Sequence, residues 1–76
     1  MINMKKFIIS LEAWDGMGDN IVKTLNHFVI LTPIQTNNEF ISHRMLCEVE
    51  ESNVGLFEDY IDSLTYFDTL REYVKL

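Results

Sequence analysis

Two long stretches of the chain alternate apolar and polar residues with a period of two, the pattern of a β-strand with one buried side. In the first stretch, from Lys5 to Trp14, one side carries Phe7, Ile9, Leu11 and Ala13. In the second, from Glu39 to Glu50, one side carries Ile41, His43, Met45, Cys47 and Val49. We therefore expect two long strands, and a fold for this chain must place both of them in a sheet.

Two further segments repeat with the period of an α-helix. Within residues 20–29, one arc gathers Ile21, Val22, Leu25, Phe28 and Val29, and within residues 54–67 a second arc gathers Leu56, Phe57, Tyr60, Ile61, Leu64 and Phe67. Asp19 or Asn20 is expected to cap the first helix, which should end near Phe28. Ser52 or Asn53 is expected to cap the second.

The remaining segments fit short strands at the edges of a sheet. Val29–Gln35 reads as a strand, and its Pro33 is tolerated at an edge because no partner needs the missing N–H. Residues 36–38 are expected to form a loop. The second helix should stop at Phe67, because its continuation would carry Asp68 and Arg71 into the apolar arc, and Leu70–Leu76 then forms a last strand. Alternatively, one helix runs from Val54 to the C-terminus, since Leu70 and Val74 are four residues apart.

The predicted order, strand, helix, strand, strand, helix, strand, is that of a ferredoxin-like α+β fold, in which a four-stranded antiparallel sheet carries two helices on one face. The first and third strands should be central, because they are the longest and most apolar. A helical tail would give βαββα instead. With 76 residues, we expect one small acidic domain over residues 1–76.

Negative charge is concentrated in the second half of the chain. The formal net charge is −6, and Met45–Leu70 holds seven carboxylates without a Lys or Arg. Such a surface repels nucleic acid and anionic lipid and attracts basic surfaces. Six basic residues against twelve acidic ones also leave too little positive charge for a base-stacking sheet of the RNA-recognition kind.

The charge pattern favours a small protein-interaction module or inhibitor. Its expected binding surface is the carboxylate-rich helix face formed by Glu50, Glu51, Glu58, Asp59 and Asp62. We expect it to dock on the Arg- and Lys-lined surface of a protein partner, where it would occupy a nucleic-acid site as phosphates do, by analogy with small acidic phage proteins that disarm host machinery. The alternative is that the acidic face only keeps the protein soluble.

The sheet face away from the helices is the second candidate surface. It is expected to carry Trp14, Phe40, Leu46 and Tyr73, with Arg44, Arg71 and Lys75 among them. An apolar face on so small a domain favours a homodimer or a protein partner. The matching alternative function is a homodimeric regulatory domain of the ferredoxin-like kind that binds a small ligand near Gly16 and Gly18.

No set of residues predicts catalysis, a metal or a cofactor. His43 and Cys47 share one side of a strand, but four residues separate them by about 13 Å, too far to share a metal ion. The Asp15–Asn20 loop lacks the alternating oxygen ligands of a calcium site. Cys47 is the sole cysteine and neither a leader nor a membrane span is evident, so we expect a non-enzymatic cytoplasmic protein.

Overall fold

The predicted order of strands and helices is confirmed. The structure is a computed structural model that describes residues 3–12 and 16–76. Its elements are β1 (Met4–Glu12), α1 (Met17–Leu25), β2 (Val29–Pro33), β3 (Ile41–Glu50), a 3-10 turn (Glu51–Asn53), α2 (Val54–Tyr66) and β4 (Leu70–Lys75). The tail is a strand, so the long C-terminal helix does not form.

The four strands form one antiparallel sheet in the order β2-β3-β1-β4. The two long alternating strands, β1 and β3, are central as expected, and β2, which contains Pro33, is an edge. Every core side chain of β1 and β3 comes from the apolar side of the alternation, and both helices cover that side. The molecule is therefore a two-layer α+β domain of the ferredoxin-like kind.

The core lies between the sheet and the two helices. Phe57 of α2 is fully buried and packs on Phe7 of β1, with ring centroids 4.7 Å apart. The other buried apolar residues are Ile9, Leu11, Ile21, Leu25, Val29, Met45, Cys47, Val49, Ile61 and Leu64. Because β1 supplies three of these side chains and joins two neighbours, it anchors the whole domain.

The start of α1 differs from its predicted cap, whereas α2 starts at one of its two predicted cap residues. Gly16 occupies the N-cap of α1, so Asp19 and Asn20 lie inside the helix, and Asp19 instead contacts the His43 ring. This helix also ends at Leu25, three residues before Phe28, because residues 26–28 form a turn that leads into β2 at Val29, where the strand was expected to begin. Asn53 does occupy the N-cap of α2, but its side chain makes no capping hydrogen bond, since the preceding 3-10 turn runs directly into the helix.

The end of α2 is a complete Schellman motif. The N–H of Asp68 donates to the Thr65 carbonyl and the N–H of Thr69 donates to the Leu64 carbonyl. Asp68 adopts a positive φ of 55°, a conformation that this motif usually assigns to glycine. The backbone therefore reverses within two residues, and this reversal starts β4 at Leu70.

A bulge in β4 changes which side chains reach the core. Ser10 pairs with Glu72 while Leu11 pairs with Leu70, so Arg71 is an extra residue in the strand. Beyond it Tyr73 pairs with Ile9 and stacks on Phe7, with ring centroids 5.9 Å apart. The prediction that Tyr73 lies on the sheet face away from the helices is wrong, because the bulge inverts the alternation. Lys75 likewise turns toward α2, and Glu72 and Val74 take the opposite face.

Candidate functional site on the outer face of helix α2

The five carboxylates predicted to form one acidic face occupy three separate places. Asp59 and Asp62 are exposed on α2, three residues apart, and their carboxylates have no hydrogen bond or ion pair within the described part of the chain. Like charges at this spacing repel one another by a few tenths of a kcal/mol. A basic partner would remove that cost.

Glu58 is paired within the chain. Its carboxylate lies 3.3 Å from the Lys75 ammonium, and Lys75 shares a recess with Lys5 beside it. The hydrogen bond and charge of Glu58 raise the pKa of Lys75. Glu58 therefore has a basic neighbour that local sequence spacing does not show, because β1 and β4 bring lysines next to it from distant parts of the sequence.

Glu50 and Glu51 lie at the junction of β3 and α2. Glu51 accepts a hydrogen bond from the Asn3 amide at 3.1 Å, and its own N–H donates to the Asn3 carbonyl. Glu50 pairs with Met4 at the end of β3, where the alternation turns it away from the core. Neither residue belongs to the surface that Asp59 and Asp62 present.

Large apolar side chains are exposed on the same helix as these two carboxylates. Leu56 is 58% exposed, Tyr66 86% and Phe67 62%, and the Tyr66 and Phe67 rings meet edge to face with centroids 5.4 Å apart. Counting 100° per residue places Tyr66 opposite the buried line of Phe57, Ile61 and Leu64, with Leu56 and Phe67 on one flank of the helix, roughly 90–110° from that line. We call Leu56, Asp59, Asp62, Ser63, Tyr66 and Phe67 the outer face of α2.

Sequence reasoning missed the apolar part of this face. Leu56 and Phe67 belong to the arc predicted to be buried, yet the sheet covers only the line of Phe57, Ile61 and Leu64. The signal for Tyr66 was present, because it lies opposite that line. An exposed cluster of this kind, beside unpaired charge, is typical of binding surfaces.

The remaining predicted sheet-face residues divide between described and undescribed positions. Leu46 lies on the open side of β3, half-buried among its neighbours, and Phe40 is 51% exposed in the turn before that strand. Trp14 lies outside the described residues.

Of the two glycines suggested as a ligand loop, Gly18 is covered from within the described chain, whereas nothing described lies within 4 Å of a Cβ placed on Gly16. A Cβ on Gly18 would meet the His43 ring at 2.7 Å, so the imidazole already fills the space above this glycine. Both ring nitrogens are in contact, Nδ1 with the Ser42 hydroxyl at 2.7 Å and Nε2 with the Asp19 carboxylate at 3.1 Å. Gly18 therefore allows β3 and α1 to approach closely.

A cavity of about 300 Å³ lies next to this contact, between α1, β2 and β3. Apolar side chains dominate its walls, including Val22, Leu31 and Met45, with His43 and Asn26 at its polar edge. Its volume is at the lower limit for small-molecule sites.

The Cys47 thiol lies in the core of the domain. Burial raises the pKa of the Cys47 thiol to about 12, so this cysteine is a protonated core residue at neutral pH. Across residues 3–12 and 16–76, no three His, Cys, Asp or Glu side chains cluster as metal ligands. None of the helices in that part of the chain is long and apolar enough to span a membrane.

Comparison of the chain with protein-family models, curated proteins and solved structures finds no match. The fold and the surfaces described above are therefore the basis for a functional proposal.

Proposed function

We propose that this protein is a small interaction module that docks the outer face of α2 on a basic surface of a partner protein. The observation that supports this most strongly is that Asp59 and Asp62, whose carboxylates make no hydrogen bond or ion pair among the described residues, lie on the same helix as three exposed large apolar side chains, Leu56, Tyr66 and Phe67. Aromatic and aliphatic anchors supply most of the affinity of protein interfaces. The carboxylates would steer encounter and favour a positively charged partner.

More specifically, we propose that the protein inhibits a nucleic-acid-binding partner. A surface lined by Arg and Lys that normally holds nucleic-acid phosphates offers the charge that Asp59 and Asp62 require. The chain carries a net charge of −6, which adds long-range attraction to such a surface. Binding there would compete with nucleic acid for the same cations.

The test is capture of partners from a lysate of the organism that encodes the chain, at low and moderate salt. The native chain is compared with the Asp59→Lys, Asp62→Lys double variant and with Tyr66→Ala. We expect a specific partner that is lost in the double variant, weakened in Tyr66→Ala and released as salt rises. Competition by added nucleic acid then separates the inhibitor from a general interaction module.

The matched control is Asp62→Lys against Glu39→Lys. Both reverse one carboxylate that has no side-chain partner in the described chain, so net charge changes equally, but Glu39 lies in the loop before β3. Glu58→Lys is unsuitable because it would also break the pair with Lys75. Equal loss of the partner in both single variants would show a net-charge effect and contradict docking through α2.

A second candidate function rests on the cavity beside α1. A ligand-sensing domain would hold a small molecule between Val22, Leu31 and Met45, with Asn26 and His43 as polar partners. Free amino acids are the first probes, and a bound one should raise the melting temperature. If no amino acid at millimolar concentration changes the melting temperature, the amino-acid form of this candidate is wrong.

A further inference from the structure

The sheet face opposite the helices carries a continuous apolar row. Direct pairing places Thr32 beside Leu46, Leu46 beside Ile8, and Ile8 beside Val74, so one side chain from each strand lies in register. Ile30 extends this surface at the β2 edge and is 59% exposed. We call Lys6, Ile8, Ser10, Ile30, Thr32, Arg44, Leu46, Glu48, Glu72 and Val74 the open face.

Polar rows border the apolar row on both sides. On one side Lys6 pairs with Glu48 across the strands, and neither side chain has a hydrogen bond or ion pair among the residues described. On the other side Glu72 accepts hydrogen bonds from Arg44 at 2.9 Å and from Ser10 at 2.7 Å. The polar groups of this second row are hydrogen-bonded to one another, whereas Lys6 and Glu48 of the first row remain available to pair with another molecule.

The open face carries little net charge, unlike the whole molecule. Lys6 and Arg44 offset Glu48 and Glu72, and Glu50 at the end of β3 adds one unpaired negative charge at its margin, whereas the full chain carries −6. Two copies of so acidic a chain repel one another through most of their surfaces. The open face is where they can meet with the least net charge brought together.

We propose that a second copy of this chain covers the open face in a two-fold symmetric dimer. If the two-fold axis runs parallel to the strands between β1 and β3, each β1 lies over β3 of the other copy. Lys6 then faces Glu48 of the other copy, and Ile8 faces Leu46. The symmetry repeats both contacts, so one apolar centre is bordered by two new ion pairs.

The available area fits a modest affinity. Four strands about 4.8 Å apart and about 25 Å long give a projected face of about 500 Å² for each copy. The total of about 1,000 Å² is at the lower end of specific interfaces. We therefore expect a dissociation constant in the micromolar range and a dimer that appears as concentration rises.

The experiment is sedimentation velocity from about 1 µM to 1 mM protein at about 0.15 M salt. The native chain should pass from monomer to dimer across this range. In a dimer of Lys6→Glu, four carboxylates would meet in place of two carboxylates and two ammonium groups. In a dimer of Glu48→Lys, four ammonium groups would meet instead. Each variant alone should therefore remain monomeric. A mixture of the two variants should form a heterodimer, because both carboxylates of one copy then face the two ammonium groups of the other.

Recovery in the mixture isolates the contact between copies, because within each variant the like charges remain side by side on one sheet. Lys23→Glu on α1 and Asp59→Lys on α2 make the same charge changes in the helix layer, away from the open face, and serve as controls. Circular dichroism at each step establishes that all variants are folded. A native chain that stays monomeric throughout, single variants that still dimerise, or control variants that lose the dimer equally would each overturn the proposal.

Discussion

Replacing Gly18 with alanine should destabilise the protein even though alanine favours helices. Gly18 is in the first turn of α1 and has an ordinary negative φ, so an added methyl group brings no backbone strain and about 0.5 kcal/mol of helix propensity. The methyl would lie 2.7 Å from the His43 ring, however, where ordinary contacts begin near 3.4 Å. The imidazole must therefore move by about 0.7 Å.

That movement weakens the two hydrogen bonds of His43. Each is worth about 0.5–1 kcal/mol at this partly exposed position, so we expect a net loss of about 0.5–1.5 kcal/mol, or about 3–10 °C in melting temperature. In a His43→Ala background the space is free, and Gly18→Ala should instead stabilise by about 0.5 kcal/mol.

Urea unfolding of the native chain, both single variants and the double variant closes this cycle. The sign of the Gly18→Ala effect should reverse between the two backgrounds. An equal effect in both, within about 0.3 kcal/mol, would show that His43 does not constrain this position and would refute the reasoning.

Four other predictions concern Phe57, Asp68, Cys47 and Glu72. Phe57→Ala should cost about 3–5 kcal/mol, most of the stability of so small a domain, and a denaturation midpoint within error of the native one would contradict its place in the core. Asp68→Gly should raise stability by about 0.5–1 kcal/mol in thermal unfolding by relieving the left-handed conformation, since its exposed pair with Arg71 contributes little. Cys47, with its pKa raised to about 12, should resist alkylation at neutral pH until urea unfolds the chain, as mass spectrometry can show. Hydrogen bonds from Arg44 and Ser10 hold the pKa of Glu72 below its ordinary value. The ionised Glu72 therefore stabilises the folded protein at neutral pH, and this contribution is lost as pH falls below about 4.5. Glu72→Gln should make the free energy of unfolding depend less on pH in that range.

The order of elements and the central strands could be predicted because both depend on local periodicity. Phe7, Ile9 and Leu11 alternate without interruption, and Phe57, Ile61 and Leu64 keep helical spacing, so pattern and burial agree. The stop of α2 near Phe67 was likewise evident from the loss of its apolar arc.

Apart from the bounds of α1, the errors involve residues whose neighbours are distant in sequence. The Glu58–Lys75 pair joins residues 17 positions apart, and the Asp19–His43 contact joins residues 24 apart, so neither is visible in local spacing. The width of the buried arc of α2 depends on how closely the sheet approaches, which the sequence does not encode locally, and Leu56 was therefore misplaced. Of the candidate site, only Asp59 and Asp62 on an exposed helix face were predicted where they lie.

The bulge at Arg71 decides which side of the sheet each later residue of β4 faces. Because Arg71 is an extra residue in the strand, Tyr73 points inward onto Phe7 and Val74 completes the apolar row on the open face. Regular pairing of β4 from Leu70 onward, with Arg71 kept but no bulge, would exchange the two, placing an aromatic ring on the open face and a smaller side chain beneath α2. Deletion of Arg71 would remove the bulge and leave Tyr73 and Val74 on their present sides. The surface offered to a second molecule is thus set by how β4 pairs with β1, so a change that shifts this pairing by one residue would redirect its associations while every other strand stays unchanged.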